Sequence, residues 1–100
     1  MDEVIDKMGN AIYEIVLTYG YVHESKYIDN WKFIMGRLEN SVKEKLEDLE
    51  ETMGKKLEKS WEVYSMALYW GRRKSELALR AILQLLIKSV IIEILEICKQ

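Results

Sequence analysis

One hundred residues, 49% of them apolar and 32% charged, suffice for a single globular domain with a modest core. The formal charge of −2 gives no overall basicity of the kind that draws a chain to nucleic acid or anionic lipid. Cys98 is the sole cysteine, which excludes an intrachain disulfide and a cysteine-based zinc site.

The charge is unevenly distributed. Residues 1–24 carry a net −4, from Asp2, Glu3, Asp6, Glu14 and Glu24 against Lys7. Residues 72–88 carry +4, from Arg72, Arg73, Lys74, Arg80 and Lys88 against Glu76. Such asymmetry points to complementarity within the chain or between subunits. The first ten residues have neither the basic start nor the apolar run of a secretion signal. Charges also interrupt every apolar run short of the ~20 residues of a membrane span. A cytoplasmic location without a membrane contact is therefore expected, and the Glu-, Lys- and Ile-rich composition resembles that of heat-adapted proteins.

No proline occurs, and apolar residues recur at helical spacing throughout. The spacing predicts an all-α fold over residues 1–100, an antiparallel bundle of three to four helices. A first helix over 2–19 carries Val4, Ile5, Met8, Ile12, Ile15, Val16 and Tyr19 on one side. Gly20 is placed to end it, and 21–25 to form a loop with Ser25 as the next cap. From Tyr27 a second apolar series runs through Trp31, Met35, Leu38, Val42, Leu46 and Leu49, then Met53, Leu57, Trp61, Tyr64 and Leu68. Two readings compete. Gly54-Lys55-Lys56 can turn a helical hairpin, the preferred reading, or a single helix of more than forty residues can run through. The absence of a Ser, Thr, Asp or Asn cap just after Gly54 counts against the hairpin.

Gly71 is read as a helix stop and Ser75 as the cap of the last helix, which carries the strongest signal. Its main apolar stripe is Leu79, Leu83, Leu86, Val90, Ile94 and Ile97, while Ile82, Leu85, Ile91, Ile92 and Leu95 point elsewhere. A helix apolar over most of its circumference has to be covered on several sides. Folding the chain back near residue 22 sets Ile12 beside Phe33 and Asp2 beside Lys43. That register leaves 43–59 uncovered by the first helix and leaves aliphatic surface on the last one. A homo-oligomer, most simply a dimer, is expected, with Leu86, Val90, Ile91, Ile94, Leu95 and Ile97 at its interface. A further protein partner is compatible with this.

Chemistry is sparse. His23 is the single histidine, so a carboxylate-bridged metal bundle with Glu-x-x-His on two helices cannot form. No nucleophile stands near His23 in the sequence. The acidic cluster Glu44, Glu47, Asp48, Glu50 and Glu51 superficially resembles the magnesium ligands of helical nucleotide pyrophosphohydrolases, but the second facing pair is missing. Too few arginines are present for a helical chorismate mutase. No catalytic residue, cofactor or metal ligand is assigned, and Cys98 is read as a small buried hydrophobe. The mixed cluster Tyr69-Trp70-Gly71-Arg72-Arg73-Lys74, with Arg80, could grip phosphates and stack on bases. The favoured account is a helix terminus whose cations answer the dipole, with Tyr69 and Trp70 packed inside. The expected role is a non-enzymatic interaction protein; nucleic-acid association through Arg72, Arg73, Lys74 and Arg80 is the alternative.

Overall fold

The computed structural model describes residues 2–25 and 28–99, so Tyr27, the start of the second apolar series, lies outside the described residues. The fold is all-α. Helix α1 spans Asp2–Glu24 and α2 spans Ile28–Gly36, followed by a π-helical segment, Arg37–Val42. Helices α3 (Lys43–Met53), α4 (Glu58–Arg72) and α5 (Glu76–Lys99) complete a four-helix bundle in which α2, the π segment and α3 form one rod. The backbone stays right-handed at Gly36, Val42 and Lys43, so the rod is unbroken through both junctions.

The hairpin reading of the middle of the chain thus holds, and the single helix of more than forty residues is corrected. A long helix runs through residues 28–53, and Gly54 then turns a hairpin with φ of 70°, a left-handed conformation that glycine reaches without steric cost. The widened turn follows from the spacing of the apolar residues. Ile34, Leu38, Val42 and Leu46, all buried, are separated by three successive steps of four. At about 100° per residue each such step overshoots a regular helical turn by about 40°. An i→i+5 turn absorbs the surplus and keeps the seam facing inward. Tyr64 of α4 donates its hydroxyl to the Leu38 carbonyl inside this segment, at 2.8 Å.

Burial raises the Tyr64 hydroxyl to about 12, with the nearby Glu39 charge adding to the shift. The native state therefore holds this proton more tightly than the unfolded chain does. The resulting stability is present below pH 10 and is lost as pH rises from 10 through 12. Tyr64→Phe is expected to cost about 1 kcal/mol at neutral pH and to flatten the alkaline limb of a denaturation-versus-pH curve.

Helix α1 continues through Gly20 to Glu24, four residues past the expected stop and into the expected loop. The reversal consequently lies later, and the antiparallel register shifts. Tyr21, not Ile12, meets Phe33, edge to face at 5.0 Å. Lys7 reaches Asp48 at 2.8 Å, and Glu14 pairs with Arg37. The Asp48 carboxylate holds the Lys7 ammonium above its usual range. Helix α1 therefore lies along α3, and the expectation of a segment uncovered by it at 43–59 is corrected for Lys43–Met53.

The second reversal also departs from expectation. Gly71 does not stop α4, which ends at Arg72. Lys74 takes the left-handed position, with φ of 56°. Lys74 N–H donates to the Gly71 carbonyl at 2.9 Å and Ser75 N–H to the Trp70 carbonyl at 3.2 Å. This is the paired closure of a helix end, made with lysine where glycine is usual. Gly71 serves a different purpose. A Cβ there would stand 2.6 Å from the Met35 sulfur, and its carbonyl accepts the Trp31 indole N–H at 2.5 Å. Glycine lets α4 approach α2 closely enough for that buried bond.

The start of α4 lacks a local side-chain cap, as the sequence implies. Carboxylates from elsewhere replace it. Glu50 accepts the Leu57 N–H at 2.6 Å. Glu93 of α5 accepts Lys59 N–H at 3.1 Å, Ser60 N–H at 2.8 Å and the Ser60 hydroxyl at 2.6 Å. Two negative groups thus answer the orphan donors and the positive end of the helix dipole.

Candidate functional site

The site argued for from the sequence lies on α5, and the structure divides its residues. Leu86, Val90 and Ile94 are buried in the protomer's own core, on the stripe with Leu79 and Leu83. They hold the bundle together and are not available to a partner; their place in an interface is corrected. Ile91 and Ile97 are half-buried, and Ile97 packs against that core. Leu95 is exposed, and it belongs to a different face.

That outer face is the main surface feature of the molecule. Leu77, Leu85, Ile92 and Leu95 are 77%, 45%, 53% and 55% exposed, and with Ala81 they follow helical spacing along one side of α5. Lys88 is the charge that interrupts the row. Helix α1 runs antiparallel beside it, since Gln84 donates to the Tyr19 hydroxyl at 3.2 Å and Arg80 lies 5.8 Å from the Tyr19 ring. On α1 the residues Ile5, Ile12 and Val16 share the stripe of Tyr19, and Ile5 and Val16 are exposed. The apolar surface is therefore two helices wide. Isolated exposed hydrophobes are ordinary, whereas a contiguous apolar face marks a contact surface.

The basic corner is less concentrated than its sequence suggests. Arg72 pairs with Glu39 at 3.3 Å, and Arg80 turns toward Glu76 at 3.9 Å and the Tyr19 ring. Arg73 lies over the Tyr69 ring at 4.4 Å, and Lys74 is exposed. Tyr69 and Trp70, expected inside, are 50% and 36% exposed and meet edge to face at 5.2 Å. Their inward packing is corrected, because the core-facing positions of α4 are Ser60, Tyr64, Ala67 and Gly71. An open groove of about 550 Å³ runs between Ser65, Leu68, Tyr69, Arg72 and Arg73.

The remaining reactive groups stand apart. His23 and Cys98 are both exposed, which corrects the reading of Cys98 as buried. Among the described residues no three His, Cys, Asp or Glu side chains stand where they could hold a metal ion, and no helix is long and apolar enough to cross a membrane. Trp31 and Tyr64 are buried anchors, while Phe33 is exposed beside Tyr21 and Arg37. The sequence reading put Ile5, Ile12, Val16 and Tyr19 on the apolar side of the first helix without marking an exposed flank; the core takes the neighbouring stripe of Ala11, Ile15, Thr18 and Val22 and leaves Ile5 and Val16 outside.

Comparison with protein-family models, curated proteins and solved structures finds no match to this chain.

Proposed function

We propose that this chain is a non-enzymatic, cytoplasmic interaction protein that self-associates through the outward face of α5 and offers its remaining bundle surface to other macromolecules. The observation that carries this reading is the exposure of Leu77, Leu85, Ile92 and Leu95 after the protomer's core is already filled by the opposite stripe. Covering such a face removes apolar area from water at about 25 cal/mol per Å². Light scattering at micromolar concentration is expected to give twice the 11.9 kDa of one chain. Ile92→Glu with Leu95→Glu is expected to give a single-chain mass with unchanged helical circular dichroism. A monomeric wild type overturns the reading.

A second reading draws on the exposure of Tyr69 and Trp70 beside Arg73 and Lys74. Aromatics open to solvent next to cations suit single-stranded nucleic acid, by stacking and phosphate contact. A gel shift at low salt tests it. Binding weakened by Arg72→Ala with Arg73→Ala supports nucleic-acid association; no shift at low salt removes it.

A further inference from the structure

The uneven charge noted in the sequence acquires a meaning once the helices are placed. Asp2, Glu3 and Asp6 open α1, whose antiparallel partner α5 ends at Lys99, so these three acids stand at one end of the bundle, while Glu96 there is answered by Lys55, Lys56 and Lys59 along the same depression. Arg73 and Lys74 stand just before Glu76, at the opposite end. The 24 residues of α5 separate the two groups by about 35 Å at ~1.5 Å per residue. The screening length at physiological salt is about 8 Å. The acidic and basic ends therefore cannot attract each other within one protomer.

From this we infer that the α1–α5 face receives a second copy of the chain in an antiparallel arrangement, about a two-fold axis crossing the middle of α5. The inference rests on the self-association reading and specifies its geometry. A two-fold axis there inverts the direction of the partner's α5, so the end of each copy that carries Arg73 and Lys74 meets the end of the other that carries Asp2, Glu3 and Asp6. A parallel pairing would set like charges together at both ends. The face is also large enough. Two helices, each about 10 Å wide and about 36 Å long, present on the order of 700 Å², close to the ~800 Å² per partner of a standard stable interface. Bulk is distributed to match, because inversion about residue 88 lays Ala81 of one copy against Leu95 of the other.

Cross-linking with a short bismaleimide, in a Cys98→Ser background, separates the outcomes. In an antiparallel dimer Lys88→Cys, near the axis, is expected to cross-link to its own copy. Leu77→Cys, far from the axis, is expected not to, although it should cross-link to Lys99→Cys when the two variants are mixed. A dimeric mass with Leu77→Cys self-linked overturns the antiparallel geometry while self-association stands. A dimeric mass with no cross-link at any of the three positions shows that another face is used and also overturns it. A monomeric mass overturns both, and leaves the face to a different polypeptide or a lipid surface. Arg73→Glu with Lys74→Glu is expected to raise the dimer Kd about tenfold at low salt and much less at high salt. Adding Asp2→Lys and Asp6→Lys to that variant is expected to restore the affinity; no restoration overturns the pairing of the ends.

Discussion

Truncation of Leu86 to alanine is expected to destabilise the protomer by about 2–5 kcal/mol, whereas Leu95→Ala should leave its intrinsic stability within about 0.5 kcal/mol. The two residues lie on the same helix and have the same chemistry, yet they face opposite ways. Leu86 is fully enclosed by its own chain and Leu95 is open to solvent. For a domain of this size each kcal/mol moves the melting temperature by roughly 4–8 °C, so the Leu86 variant should be strongly affected in thermal scans at high dilution. Under the proposed self-association the wild type should melt higher as its concentration rises, by mass action, and Leu95→Ala should remove that rise. Equal losses from both truncations in dilute protein would show that the outer face is not solvent-exposed in the protomer.

The second large effect is expected at Glu93. Its carboxylate accepts two backbone N–H groups and the hydroxyl of Ser60, and Ser60 is fully buried. Alanine there deprives the first turn of α4 of its acceptor and leaves a buried hydroxyl and a buried N–H unpaired. Each unpaired buried group costs about 1–3 kcal/mol, so Glu93→Ala should destabilise by on the order of 3 kcal/mol. Amide exchange should speed up first at Lys59 to Trp61, before the middle of α4 responds. Ser60→Ala in the Glu93→Ala background should recover part of the loss, since it removes one of the orphaned groups. Independent, additive effects of the two substitutions would contradict direct coupling.

The contrast between Glu93 and Gly54 explains how much of the fold was legible in the residues. Gly54, the absence of proline and the three-four spacing are local signals, and they specified helices and a hairpin correctly. Glu93 caps a helix that starts 35 positions earlier in the chain, and no local pattern announces such a contact. The missing cap after Gly54 was therefore a true observation, answered by tertiary structure. Gly20 misled for a related reason. Its propensity to end a helix is about 1 kcal/mol, and the packing of Val22, buried one turn from Thr18, outweighs it. That small error moved the register of α1 along the rod.

The candidate surface was legible in part. The row Leu79, Leu83, Leu86, Val90, Ile94 stood out as the strongest stripe of α5, and it is the one the core takes up. Leu95 could be placed outside it by helical phase. Leu86, Val90 and Ile94 could not be assigned both to that stripe and to an interface, and burial decides for the stripe. Tyr69 and Trp70 were harder, because an aromatic pair next to a helix end fits an interior as well as a surface until the neighbouring helices are placed.

The wide turn at Arg37–Val42 also gives the rod room to lose one position without changing its facing. It takes up the slack of one surplus position, so that α2 can address α4 through Trp31 and Gly71 while α3 addresses α1 through Asp48 and Lys7. A chain shorter by a single amino acid there would straighten into an ordinary spiral, and everything downstream to Met53 would keep its facing, because five residues at about 100° each sweep nearly the angle that the six sweep in the wide turn. Leu46 and Leu49 would stay in the interior, and the Gly54 bend would still aim α4 at its seat. Evolution of this rod is therefore free to lose one residue within that turn, whereas a residue gained elsewhere along it would rotate all that follows by about 100°.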